Sequence, residues 1–221
     1  MIVTCNRPWL AADLGAPHRV MSWAVHNGGI TTARRILWRE VRNADLPEGR
    51  DVERWLAGEV TEPEAVCLLT SRDVTRHVLT RAEVEGITAE ALTTAGLSNA
   101  EAVGARRDWQ AGDWGTINIA VQIHAHLTQS AQIEALSIAT QARTAAVIDC
   151  ALRLPTGMAT GTGTDCIALA ALPGPDHRHA GLHTALGEAV GAAVRRGVAR
   201  AAAEWVADWE ALGRLKPGRG L

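Results

Sequence analysis

Gly115 to His126 constrains the fold more than any other stretch, because apolar and polar residues alternate along it. Ile117, Ile119, Val121 and Ile123 point one way. Asn118, Gln122, His124 and His126 point the other, with Thr116 and Ala120. A period of two is what a pleated strand with one buried face requires. Thr128 then offers a hydroxyl cap for a helix predicted over Gln129 to about Cys150, with Ile133, Leu136, Ala139, Val147 and Ile148 among its apolar positions.

Other strand signals lie mostly before this point. Met1 to Cys5 is a short apolar start. Arg19 to Val25 and Ile30 to Val41 are extended runs around Asn27-Gly28-Gly29, and Asn-Gly tolerates the positive φ of a hairpin turn. Asp51 to Gly58 reads as a short helix, and Ala65 to Thr70 and Thr88 to Ala95 as strands. Cys166 to Leu172 is apolar on both faces, as in a central strand. The longest helix is predicted over Leu182 to about Leu212. Leu186, Ala189, Ala193, Gly197, Ala201, Trp205 and Trp209 share a face there, Gly187 and Gly191 permit close approach, and Gly213 caps the end. The expected architecture is a single α+β domain over residues 1–221: a mixed, largely antiparallel sheet covered by helices.

Composition narrows the partners. The net charge is -2, and the one lysine is Lys216, so neither nucleic acid nor anionic membrane is expected to be attracted. No apolar run reaches the roughly 18 residues of a spanning helix, and the N-terminus lacks a signal-peptide pattern. The four cysteines, Cys5, Cys67, Cys150 and Cys166, form no CxxC pair, which fits a reducing, cytoplasmic setting. Eight Trp and no Phe or Tyr leave all aromatic packing to indoles. Trp23, Trp109 and Trp114 lie near turns and could stack on a flat ligand, whereas Trp205 and Trp209 are expected in the core. A homo-oligomer is compatible with these features.

No GxSxG elbow, HExxH pair, Walker loop or strand-GxGxxG-helix unit occurs. The most unusual segment is Thr160-Gly161-Thr162-Gly163-Thr164-Asp165. Its glycines let backbone N–H groups turn inward and its threonines add hydroxyls, a combination suited to an oxyanion or to ligand amides. Asp165 could activate water or orient a histidine. A tight turn, with Asp165 bonding nearby backbone, is the plain alternative. Ser22 to Gly29 would let a bulky ligand approach backbone at Gly28 and Gly29, with Ser22 and Asn27 at hand, or is simply a hairpin turn. Thr93 to Ala100 places Thr94, Ser98 and Asn99 at a rim, where Asn99 could polarise a carbonyl or merely cap a turn. His177, His179 and His183 are dense, but no carboxylate or thiol is fixed by spacing, so no metal is expected. His183 at a helix start suits a general acid, with Glu188 within two turns.

Together these segments resemble the adenosylcobinamide amidohydrolase family. The resemblance rests on Ala159 to Asp165 with its following strand, and on Ala180-Gly181-Leu182-His183-Thr184-Ala185-Leu186-Gly187-Glu188. Thr93 to Ala100, Gly115 to Ile119, Leu127-Thr128 and Asn27-Gly28-Gly29 support it. Trp38 departs from an asparagine common at that position. The resemblance implies hydrolysis of adenosylcobinamide to adenosylcobyric acid and 1-amino-2-propanol in corrinoid salvage. It also implies possible action on complete corrinoids such as pseudocobalamin. No cofactor is expected beyond the cobalt carried by the corrinoid substrate. The expected catalytic set is Asp165, His183, Asn99 and Thr164, with Thr162 or Thr164 as a possible nucleophile. Ser22, Asn27, Gly28, Gly29, Thr94, Thr160, Gly161, Thr162, Gly163 and Glu188 are the expected substrate contacts. A corrinoid carrier or sensor without hydrolysis is the rival class.

Overall fold

The computed structural model describes residues 1–106 and 114–214. Trp109 and the tail from Lys216 therefore lie outside the described residues. In chain order the elements are β1 (Ile2–Asn6), β2 (Trp9–Ser22), β3 (Gly29–Glu40), α1 (Val52–Glu59), β4 (Val66–Thr70), β5 (Val78–Val84), β6 (Ile87–Ala95), β7 (Ala100–Glu101), β8 (Ile117–Leu127), α2 (Gln129–Asp149), β9 (Arg153–Leu154), β10 (Gly157–Met158), β11 (Gly161–Thr162), β12 (Cys166–Pro173) and α3 (Ala185–Ala211).

The main sheet runs β4-β3-β2-β12-β8-β6-β5, with β1 paired to β2. Only β3–β4 and β8–β12 are parallel; the other pairings are antiparallel. This is the mixed, largely antiparallel sheet that the hairpin signals predict. The β5–β6 turn uses Glu85 and Gly86, both at positive φ (49° and 81°), the geometry that a two-residue hairpin loop matches to strand twist.

The alternation along β8 has its expected result. Ile117, Ile119, Val121 and Ile123 meet α2 and α3 in the larger core. The opposite face of the sheet curls over a second core of Leu10, Val20, Trp38, Leu68, Leu92, Ala168 and Ala170. Trp38 is fully buried there, and its indole N–H finds no acceptor. The curl brings β4 against β8 although the two are not sheet neighbours, and Asn118 Nδ2 donates to Leu69 O across the gap at 2.5 Å. A third, smaller core under α1 joins Leu56 to Leu37 and Cys67.

Capping sets the helix ends. Thr128 accepts from Ala131 N and starts α2. Thr184 accepts from Gly187 N, so α3 begins at Ala185, three residues later than its apolar periodicity predicts. A Cβ at Gly187 would lie 2.5 Å from Ala180 O, so glycine lets the preceding loop rest on the first helical turn. Gly213, at φ 66°, ends α3 as expected. Among the described residues no helix is long and apolar enough to cross a membrane.

Candidate functional site

Three segments that are distant in sequence meet where β8 and β12 begin. β11 pairs with β7, Thr160 N donates to Glu101 O at 2.9 Å, and Gly163 N donates to Asn99 O at 3.3 Å. Thr116 Oγ1 donates to Thr164 O, and Thr164 Oγ1 donates to Gly115 O, each at 2.9 Å. The threonine-glycine loop is thus stitched to both the 99–101 segment and the start of β8.

Asp165 is the hub of this junction. Its Oδ1 accepts from Ile117 N at 3.0 Å and from the Thr162 hydroxyl; its Oδ2 accepts from Thr162 N at 3.0 Å and from the Arg143 guanidinium. Four donors fill the lone-pair positions of the two oxygens. The Asp165 side chain is 7 % exposed and that of Arg143 14 %. Burial pushes the Asp165 carboxyl above the usual carboxylate range, against the pull of Arg143 and of the Thr162 and Ile117 donors. Gly161 belongs here for steric reasons, since a Cβ would stand 2.6 Å from Asp165 Oδ2 and inside the Arg143 guanidinium.

Beside this hub lies a cavity of about 260 Å³, walled by Trp23, Trp114, Thr116, Asn118, Thr164 and Asp165 on one side and by Val41, Arg42, Asn43, Thr70 and Ser71 on the other. The second wall follows from the parallel β3–β4 pair, whose ends leave together: Val41 N donates to Thr70 O at 2.8 Å. Trp23 is steered by its indole N–H, which donates to Asp165 O. A second hollow of about 560 Å³ adjoins, sharing Val41, Arg42, Asn43, Ser71 and Trp114 and adding Arg72, Trp205 and Trp209. The expected stacking residues Trp23 and Trp114 both border the cleft, and Trp209 borders it too instead of lying only in the core. Asp165 is the one carboxyl among the described residues of the smaller cavity. Cys166 also lines it, but burial pushes its thiol up to about 12, which leaves no thiolate for nucleophilic attack near neutral pH.

Several sequence expectations need correction. His183 and Glu188 are both exposed at the opposite end of the sheet. β12 runs from Asp165 away to Pro173, and its eight residues span roughly 25 Å at strand rise. The chain reaches His183 only after that traverse, where Thr128 N bonds His177 O and Glu134 accepts from Ala180 N. Neither residue can act with Asp165. The loop amides are also spoken for: Thr160, Thr162 and Gly163 spend their N–H groups on Glu101, Asp165 and Asn99, so they do not form an oxyanion hole. Asn99 is buried behind the loop, its Oδ1 without a partner, and does not line the cavity.

The remaining expected contacts act through their neighbours. Thr94 is fully buried opposite Asn118 in the β6–β8 ladder. Ser22 is buried, with Oγ accepting from Ala24 N at 3.4 Å. Asn27 Nδ2 ties the loop to Pro63 O and Ala65 O at 2.5 and 3.0 Å. A Cβ at Gly28 would press on Ala24 O at 2.5 Å, while Gly29 only starts β3 with φ 87°. Ser22, Asn27 and Gly28 therefore set the Trp23–Val25 wall and do not themselves border the cavity. Among the described residues no group of His, Cys, Asp or Glu gathers in a way that could hold a metal ion.

Sequence reasoning missed Arg143, Arg42, Asn43, Thr70 and Ser71. A lone arginine in the Ala-rich stretch of α2 is the one available signal for Arg143. Thr70 ends β4, and Arg42, Asn43 and Ser71 lie in loops without a motif.

The PH0078 protein from Pyrococcus horikoshii OT3 is a solved structure similar to this chain at 12 % identity, over 89 % of this chain and 77 % of that one, with a TM-score of 0.40. That likeness is too loose to carry an argument. No curated protein matches the chain. The family model described as adenosylcobinamide amidohydrolase (CbiZ) matches residues 1–209, nearly the whole length and all three segments that meet at Asp165. The chain belongs to the adenosylcobinamide amidohydrolase family.

Proposed function

We propose that the protein hydrolyses the aminopropanol amide of adenosylcobinamide, releasing adenosylcobyric acid and 1-amino-2-propanol, as a step in salvaging incomplete corrinoids. The observation that carries this reading is the paired cleft beside Asp165. The smaller cavity has room for an amide side arm but not for a macrocycle. The adjoining hollow, with Trp114 between, gives the flat ring a place against indole faces. Cobalt enters only as part of this substrate. The four cysteines are free, which fits the reducing cytoplasm.

Asp165 would serve as the acid–base group, because burial raises its pKa towards the working range of a proton shuttle. Of its four donors only the Thr162 hydroxyl is a free rotor. Its seat on Oδ1 is the one a water would take. Water attacks the amide carbon and passes its proton to Asp165 Oδ1. The C–N bond then breaks as that proton moves to the departing nitrogen, leaving a carboxylic acid and the neutral amine, which exchange the second water proton to become carboxylate and ammonium. Arg143 holds Oδ2 throughout. Arg42 and Asn43, which border both hollows, offer side-chain donors to the carbonyl oxygen and neighbouring corrin amides.

One observation favours a rival reading. With every Asp165 oxygen position occupied, the same cleft would suit a corrinoid carrier. Incubating the pure protein with adenosylcobinamide and assaying free aminopropanol separates the two. Catalytic release supports the hydrolase; stoichiometric corrinoid binding without release overturns it in favour of the carrier.

A further inference from the structure

In the helical layer, α3 exposes Glu188, Arg195, Arg196 and Arg200, whereas the outer face of α2 is sparsely charged. α2 carries only Glu134, Arg143 and Asp149 as charged residues, and the first two are turned to Ala180 N and Asp165. Ile133, Ile148 and Leu182 stand 54 %, 43 % and 70 % exposed. Between α2 and α3 runs a groove of about 780 Å³, lined mainly by Ile138, Ala142 and Ala145 from one helix and Gly191, Ala192 and Ala199 from the other, with Gln141 and Arg196 also on its walls. The exposed side of α2 is otherwise polar but nearly uncharged (Gln129, Ser130, Ser137 and Gln141), and exposed apolar side chains beside a groove of small residues mark a contact surface.

The charges along this groove say what covers it. Glu188 and Arg195 lie two helical turns apart on the exposed stripe of α3, with Gly191 and Ala192 midway between them. A two-fold axis through that midpoint, perpendicular to α3, lays the same helix of a second copy antiparallel upon it. It sets Glu188 of each copy opposite Arg195 of the other. The small residues at the crossing let the backbones approach, and each Leu182 comes to the Ala199 end of the opposite groove. A patch that matches itself under a two-fold is what a closed dimer requires. We propose that the protein is a homodimer through the α2–α3 face, with the corrinoid cleft beyond the far ends of these helices left open. This is independent of the proposed activity.

Sedimentation equilibrium tests it. Wild type is expected to dimerise. Glu188→Arg and Arg195→Glu should each weaken the dimer by about tenfold, and the double reversal should restore it. Arg195 also meets Asp149 at 2.8 Å, but both side chains are more than half exposed, so losing that pair leaves the fold intact. Leu182→Glu, at an exposed position, should yield monomer with unchanged helical circular dichroism. A monomeric wild type at about 100 µM, or a dimer indifferent to all of these changes, overturns the proposal.

Discussion

Replacing Asp165 with Asn keeps the side chain's size and removes its charge, and the structure indicates how much that costs. In one orientation the new amide faces Thr162 N and the Arg143 guanidinium, donor against donor. In the other it faces Ile117 N. Either way one buried backbone N–H loses its acceptor, at about 1–3 kcal/mol. Arg143, 14 % exposed, is left as a buried charge without its partner. Breaking such a pair from one side costs about 3–5 kcal/mol in all. For a chain of this length, that lowers the melting temperature by roughly 6–20 °C. Urea unfolding of both proteins checks the figure, and turnover on adenosylcobinamide should be compared at a temperature where both remain folded. A loss below about 1 kcal/mol would refute the view of Asp165 as keystone of the loop junction. Near-normal turnover in the folded variant would remove the carboxyl from the chemistry.

Three further outcomes are expected. His183→Ala should leave turnover unchanged, since the imidazole lies at the far end of β12; a hundredfold loss would place it back in the mechanism. Trp114→Ala should raise KM by roughly 2- to 10-fold with little change in kcat if its ring stacks on the corrin, as steady-state kinetics would show. His18 is 5 % exposed, and burial holds its imidazole below the ordinary value, with the nearby His124 adding to this and the Ala16 carbonyl opposing. Because the unfolded chain takes up this proton first, stability is fully present above about pH 6.5 and falls as pH drops from there towards the folded pKa. His18→Asn should flatten that slope in melts run between pH 5 and 8; parallel slopes would assign the effect elsewhere.

What the sequence revealed was mostly local. The period of two along β8 and the Thr128 cap depend on neighbours in the chain, and both appear where expected. The threonine-glycine loop also stood out, because a run of small and hydroxylated residues is hard to place elsewhere. The error at His183 has a different cause. Only 18 positions separate it from Asp165, but sequence distance does not give the direction of the strand between them. Those positions include β12, which is parallel to β8 and carries the chain across the molecule. Arg143 was hidden because the turn of α2 that faces the loop is set by packing on the sheet, not by its own sequence. Arg42 and Thr70 meet only because β3 and β4 run in the same direction, a pairing that no short motif encodes.

The place of β12 bears on how the protein is made. It lies between β2 and β8, joining the strands before residue 71 to those from 78 onward, yet among the described residues it is the last strand to be synthesised. Until residue 173 has left the ribosome, the nascent chain carries two half-sheets with unsatisfied edges facing each other, a state open to mispairing with other chains. A release just before Cys166 would therefore yield an aggregating fragment instead of a smaller working protein.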